Sequence, residues 1–350
     1  MSTPWPTLDG NIFWNTGDCL PKWCVCRDIA LRMWLVRSCV RAERRLSMDT
    51  IALENVTKTY GKTVAVADLS LTVPQGSLYG FIGPNGSGKT TTLRMIMNIL
   101  YPDRGQIRVF GERLRGACTD RLGYMPEERG LYRRMKVREL LRFYGDLKSG
   151  RNVKEEVDFW LEKLELTGWS NKTVETLSKG MSQKVQFIAT VVSRPAIVIL
   201  DEPFAGLDPV NAQVISDSVL ELQSRGTTVI FSTHDMNAAE RMCDFILMIF
   251  QGRKVLDGTL SSIQDTYGSD TIRVRTENGV SALENLQGVE KVSDFGRVQE
   301  LRMAPESDSQ EVLATIMSRT RVSSFEVAKP SLHDIFLRIA GPEARANNHA

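Results

Sequence analysis

The stretch GPNGSGKT, residues 83 to 90, has the spacing G-x-x-x-x-G-K-[ST]. Glycines at Gly83, Gly86 and Gly88 let the backbone N–H groups around Pro84, Asn85 and Ser87 curl into a nest for phosphate. A helix starting here would add its positive end, Lys89 a point charge toward the β and γ phosphates, and Thr90 a hydroxyl for Mg²⁺. Thr91 continues the candidate phosphate-binding set. A second constellation is Asp201 and Glu202, which end the apolar run AIVIL. Behind a phosphate loop, paired carboxylates at a strand end suit Mg²⁺ binding by Asp201 and activation of an attacking water by Glu202.

These groups need a scaffold that brings them to one edge. Short β-branched runs (SLYGFIG, AIVILDEP, TTVIFSTHD) alternate with helical patterns such as GKTTTLRMIMNIL. That alternation predicts a mostly parallel α/β sheet with ligands at the carboxyl ends of its strands. Between Tyr124 and Val192 the periodicity is helical, in VRELLRFYGDL and VDFWLEKLEL, so a helical subdomain of about residues 125–192 is expected inside a domain spanning 50–260. Residues 271–340 alternate again (TIRVRT, VEKVSDF, VQELRMA) around the helical SQEVLATIMSRT, as a small α+β appendage. The polar tail 341–350 is expected to fray.

The 350 residues carry a formal net charge of only +2, so nothing global points to nucleic acid. No apolar run approaches the roughly 18 residues that span a bilayer. Residues 1–47 hold four of the six tryptophans and four of the six cysteines and read as a poorly ordered extension, with Met48 the alternative start. Cys24 and Cys26 lack a second ligand pair at finger spacing, which argues against zinc. Irregular cysteine spacing without a secretory signal suggests a reducing cytosol.

With these residues in place, the chain resembles the ATP-binding subunits of ATP-binding cassette (ABC) transporters over about residues 50–260. Tyr60 in KTYG matches the aromatic that stacks on adenine, and AGLDP the D-loop, with Asp208 its acidic residue. LSKGM at 177–181 falls where the family has its LSGGQ signature, and STHD places His234 at the switch histidine. The resemblance implies the P-loop ABC-ATPase fold: a RecA-like mixed sheet core, a helical subdomain and here a small α+β C-terminal domain. It also implies ATP and Mg²⁺ as ligands and Lys89, Glu202 and His234 as catalytic groups.

Two positions depart from the family pattern. Glu127 stands where the Q-loop usually has glutamine; it can still contact Mg²⁺ and water, but adds negative charge beside phosphate. Lys179 and Met181 replace glycine and glutamine in the signature, while Ser178 and Gly180, the donors to phosphate, are kept. The segment ending SSFEVAKPSLHDIFLRIAG resembles the C-terminal extension of a sodium-efflux-type export branch, where such variants also occur.

The resemblance further implies head-to-tail pairing with a second ATP-binding subunit, so that Ser178 and Gly180 reach the partner's nucleotide and the positive Lys179 faces a triphosphate. Integral membrane permease subunits would dock beside the Q-loop, near Arg129, Arg133, Arg134, Lys136 and Arg138, at the cytoplasmic face of the membrane. The alternative is a soluble ABC ATPase with a regulatory, nucleic-acid or ribosomal role. Relatives of the last kind carry tandem cassettes, long coiled coils or iron–sulfur regions, and none is present here, so no nucleic acid is expected.

Overall fold

The computed structural model describes residues 49–114, 120–128, 130–268, 271–294, 296, 298–304 and 307–347, with side chains to 341. The readings made for 1–47, including Cys24 and Cys26, and the one for Arg129 lie outside the described residues. A 12-residue hairpin pair opens the fold: β1 (Asp49–Tyr60) and β2 (Thr63–Pro74), turned at Gly61 with φ 59°. Then come β3 (Leu78–Ile82), α1 (Lys89–Ile96), β4 (Arg104–Val109), β5 (Glu112–Arg113) and β6 (Leu122–Met125). The helices α2 (Val137–Ser149), α3 (Lys154–Lys163) and α4 (Lys179–Val191) follow.

The chain re-enters the sheet at β7 (Ile197–Asp201), then alternates α5 (Pro209–Ser224), β8 (Thr228–Thr233), α6 (Met236–Met242), β9 (Phe245–Phe250), β10 (Arg253–Gly258) and α7 (Leu260–Tyr267). The six-stranded sheet runs β10, β9, β3, β8, β7, β6, parallel except for β10. Its strands β3, β7 and β8 are buried at every residue, as apolar strands covered on both faces must be.

The six-stranded sheet is the mostly parallel one expected, and a second sheet stands beside it. β1, β2, β4 and β5 form a separate antiparallel sheet, in the order β2, β1, β4, β5. The alternating burial of β1 and β2 is the antiparallel signature, one face turned to the core. α1 lies between this sheet and the larger one, with Leu93, Met95 and Ile96 in their shared core.

Across the other face of the main sheet, α2, α3 and α4 close a core around Trp160, Phe187, Leu140 and Val185. Val137, Leu140 and Leu141 of α2 keep the i, i+3, i+4 spacing of a helix with one buried stripe.

The last segment is β11 (Thr271–Thr276), a 3₁₀ turn at Gly279–Leu283, β12 (Val289–Asp294), β13 (Gln299–Met303), α8 (Ser309–Arg319), β14 (Val322–Ala328) and α9 (Leu332–Asn347). Its antiparallel order β12, β13, β11, β14 is that of a split β-α-β-β-α-β unit whose first helix has shrunk to one turn. α9 leaves this unit and packs Leu332, Ile335 and Phe336 against Ala239 of α6 and Ile246 and Met248 of β9. Glu240 accepts from the Leu332 N–H, and the Phe336 ring meets Phe250 edge-on at 5.7 Å. α9 continues through Asn347 into the segment 341–350, whose last three residues lie outside the described ones.

Candidate functional site

Four neighbouring strands end at one edge. Pairing puts Ile82 opposite Thr233, Ser232 opposite Asp201 and Leu200 opposite Met125. The next residues of each chain segment are therefore Gly83, His234, Glu202 and Pro126–Glu127, side by side. Parallel register alone assembles the site.

Gly83 (φ 148°) and Gly88 (φ 108°) make the loop that follows β3. A Cβ at Gly83 would fall 2.1 Å from the Ile249 carbonyl oxygen, and one at Gly88 2.4 Å from that of Ala65, so glycine is required at both. Lys89, 5 % exposed, donates to the carbonyls of Gly83 at 2.7 Å and Pro84 at 3.1 Å. Burial lowers its pKa, and the negative charge of Glu202, Asp201 and Glu127 opposes that shift.

Asp201, 1 % exposed, accepts from Ser232 Oγ at 2.6 Å and Thr90 Oγ1 at 3.2 Å, with Tyr124 OH at 3.5 Å. Burial, reinforced by Asp201, raises the Tyr124 phenol.

Glu202 is held in the left-handed region at φ 50°, a conformation costing a side-chain-bearing residue about 1–3 kcal/mol. Its N–H donates to Ser232 Oγ at 2.9 Å. One carboxylate oxygen lies 3.0 Å from His234 Nδ1; the other is buried without a hydrogen bond, 3.7 Å from Lys89 Nζ. A strained, buried carboxylate with one oxygen that accepts no hydrogen bond has capacity for a further donor.

A cavity of about 360 Å³ opens here, lined by Ala65, Asn85, Gly86, Gly88, Lys89, Thr90, Thr91, Glu127 and Glu202. Ser87 points a buried hydroxyl without a hydrogen bond, and its carbonyl accepts from Gly252 N. Glu127 makes no hydrogen bond among the described residues.

Ser178, Gly180 and Asp208 do not line this cavity; they form a second cluster on the chain. Ser178 caps α4 through Met181 N, and Asp208 caps α5 through Val210 N and Asn211 N. Gly180 packs against Asn211 and Leu207. The exposed Lys179 lies over Gly206, where a Cβ would come within 2.3 Å of its ammonium. Tyr60, 47 % exposed, ends β1 apart from both groups, with Lys58 Nζ 5.8 Å from its ring centre.

Sequence reasoning missed Ser232, whose hydroxyl donates to the Asp201 carboxylate and accepts from the Glu202 backbone N–H, and the buried glutamines of α4. Gln183 Nε2 donates to Pro203 O at 2.6 Å, and Gln186 Nε2 to Pro126 O at 2.9 Å and Glu128 O at 3.2 Å. Amides three residues apart on an otherwise apolar helix face were the available signal. Of the basic cluster, Arg138 is spent on Asp158 and Lys136 sits 3.9 Å from Glu139, leaving Arg133 and Arg134 exposed.

A glycine loop between strand and helix, with its lysine, and acidic groups on the adjoining strands define a P-loop nucleoside triphosphatase. The sequence pattern of the ABC transporter family matches residues 66–205, and that of the C-terminal domain of DrrA1-3-like ATP-binding proteins matches 258–340. The ABC transporter ATP-binding protein YhaQ of Bacillus subtilis (strain 168) is 37 % identical over 293 residues, 83 % of this chain and 98 % of the relative. The daunorubicin resistance ATP-binding protein DrrA3 of Streptomyces coeruleorubidus is 30 % identical over 315 residues, 86 % and 98 % of the two chains. A solved ATP-binding subunit of an ABC transporter superposes with TM-score 0.58 at 29 % identity, covering 63 % of this chain and 93 % of that one. The chain belongs to the ATP-binding proteins of ABC transporters, has their ATPase fold, and is an ATP-hydrolysing subunit. Its C-terminal domain is DrrA-like.

Proposed function

We propose that this chain energises an exporter of organic molecules, the kind of cargo for which its DrrA-type relative is named, through permease subunits at the membrane. The observation that carries the reading is the meeting of Lys89, Thr90 and Glu202 on one cavity, with Asp201 bonded to Thr90, His234 to Glu202, and one buried Glu202 oxygen without a hydrogen bond.

Tyr60 stacks on adenine, and the loop from Gly83 to Thr91 wraps the phosphates. Lys89 exchanges its bonds to Gly83 and Pro84 for phosphate oxygens, which keeps the buried ammonium paired. Before phosphate enters, Asp201, Glu202 and Glu127 face a single ammonium. That excess of hard oxygen fits Mg²⁺, held by Thr90 and Asp201 with Glu127 near; the ion would neutralise phosphate charge. Glu202 takes a proton from the water that attacks the terminal phosphorus as ADP leaves, and His234 orients that carboxylate and contacts the terminal phosphate. ATP and water yield ADP and phosphate.

The signature end of α4, with Ser178 and Gly180, serves the nucleotide of a second ATP-binding subunit placed head to tail, with Asp208 beside it. Release of the terminal phosphate then opens the pair, a change the permease uses. Among the described residues no helix is long and apolar enough to cross a membrane, so the permease supplies the path. Exposed Tyr132, Phe143 and Leu147 beside Arg133 and Arg134 offer it an apolar, basic face.

Glu202→Gln tests the scheme. With MgATP this variant should elute as a dimer while hydrolysis falls at least a hundredfold. Wild-type turnover would remove Glu202 from the role of base, and a monomer at saturating ATP would refute the head-to-tail pairing.

A further inference from the structure

Of the three carboxylates at this edge, Glu127 alone makes no side-chain hydrogen bond among the described residues. Asp201 is fixed by Ser232 and Thr90, and Glu202 by His234 and by its backbone bond to Ser232. Glu127 makes no hydrogen bond among the described residues, so its backbone sets its place. That backbone is gripped from α4: the Gln186 carboxamide donates to the carbonyls on either side of Glu127, those of Pro126 and Glu128. Gln186 is 5 % exposed, and replacing it with an apolar residue strands two carbonyls.

One turn back on the same helix face, Gln183 is 6 % exposed and donates to Pro203 O, directly after Glu202. The loops holding both carboxylates are thus attached to a single rigid element. The first turn of that element is Ser178 to Met181.

We infer that Gln186, assisted by Gln183, is a positioning residue that sets Glu127 according to where α4 stands. On the reading proposed above, the N-terminus of α4 meets the partner's nucleotide. The two glutamines therefore let the occupancy of one site place the carboxylates of the other. A donor is required at 186 because the groups to be held are carbonyls, and its length must span from helix to loop. Leu and Met fill similar volume but offer no donor.

The test is a double-mutant cycle on the dimeric protein with MgATP. Gln186→Leu and Gln186→Met should each lower kcat about tenfold, leave the KM for ATP within about twofold, and bring the Hill coefficient for ATP toward 1. In a Glu127→Ala background the same substitutions should cost less than about twofold, because the group through which Gln186 acts is gone. Additive losses in the cycle, an unchanged Hill coefficient, or a raised KM at normal kcat would each overturn the inference. The two readings fail differently: normal kcat in Glu127→Ala, or a slow Glu127→Ala with additive Gln186 effects, overturns this inference alone, whereas wild-type turnover or a monomer in Glu202→Gln overturns the reading it rests on. Agreement between the Leu and Met variants, with melting temperatures near wild type, separates positioning from misfolding.

Discussion

His234 Nδ1 stands 3.0 Å from one oxygen of Glu202, while the other oxygen is buried without a hydrogen bond. Histidine is 59 % exposed at its side chain and the carboxylate 8 %, so the imidazole reaches inward from solvent to hold a buried acid. His234→Ala should free Glu202 to rotate toward Lys89, 3.7 Å away. Hydrolysis is expected to fall about a hundredfold with ATP binding within threefold, measured by phosphate release and nucleotide titration. A binding defect as large as the rate defect would place His234 on the ground state instead.

Lys89→Ala should abolish ATP binding. The substitution removes the ammonium that balances Glu202, Asp201 and Glu127 and leaves phosphate facing carboxylates. A fluorescent ATP analogue titrated into the variant should give no saturable signal, and normal affinity would refute the phosphate assignment.

Tyr60→Ala should raise the KM for ATP several-fold at unchanged kcat, because the ring is exposed and touches neither Glu202 nor His234. Tyr60→Phe should behave as wild type. Equal loss of kcat would mean that the ring shapes the reaction and not the base contact.

The strand end that presents Tyr60 is pinned by Asp103, whose carboxylate accepts from Lys58 Nζ at 2.8 Å and from Thr59 N and Oγ1 at 2.7 Å. The Lys58 bond foremost, then those to Thr59, hold its pKa down to about 2. A depressed carboxylate stabilises the fold above its unfolded pKa near 4, and that contribution disappears as pH falls toward 2. Asp103→Asn should therefore melt below wild type at pH 7 and alongside it near pH 2. A gap independent of pH would assign the effect to shape alone.

Lys179→Gly should weaken ATP-driven dimerisation of the Glu202→Gln form, with the difference shrinking as salt rises. The lysine lies across Gly206, so its charge belongs to the same exposed patch as Asp208 and Ser178. An unchanged dimer and salt profile would make Lys179 a surface residue.

The nucleotide edge was legible because each part announces itself locally. A glycine loop needs its glycines, β7 needs its apolar run, and Asp201 and Glu202 must follow it. Register then did the assembly without further instruction. Ser232 and Gln186 stayed hidden because serine in a strand and glutamine in a helix have many ordinary uses, and only tertiary neighbours give these two theirs. The antiparallel sheet was overlooked for a different reason. β1 and β2 alternate in burial, yet β4, which carries β5 on its far side, pairs with β1 across an intervening strand and helix, a separation that periodicity does not encode.

The docking of α9 on α6 has a consequence for how such proteins can be recombined. Leu332, Ile335 and Phe336 bury the surface offered by Ala239, Ile246, Met248 and Ile263, and Glu240 caps the incoming helix. Each large side chain so buried is worth about 1.5–3 kcal/mol. The cassette and its C-terminal domain are consequently one heritable unit: a chimaera that exchanges the last 80 or so residues between relatives must carry the matching α6 face with them, or it will inherit an unpaired apolar stripe on the helix that follows His234.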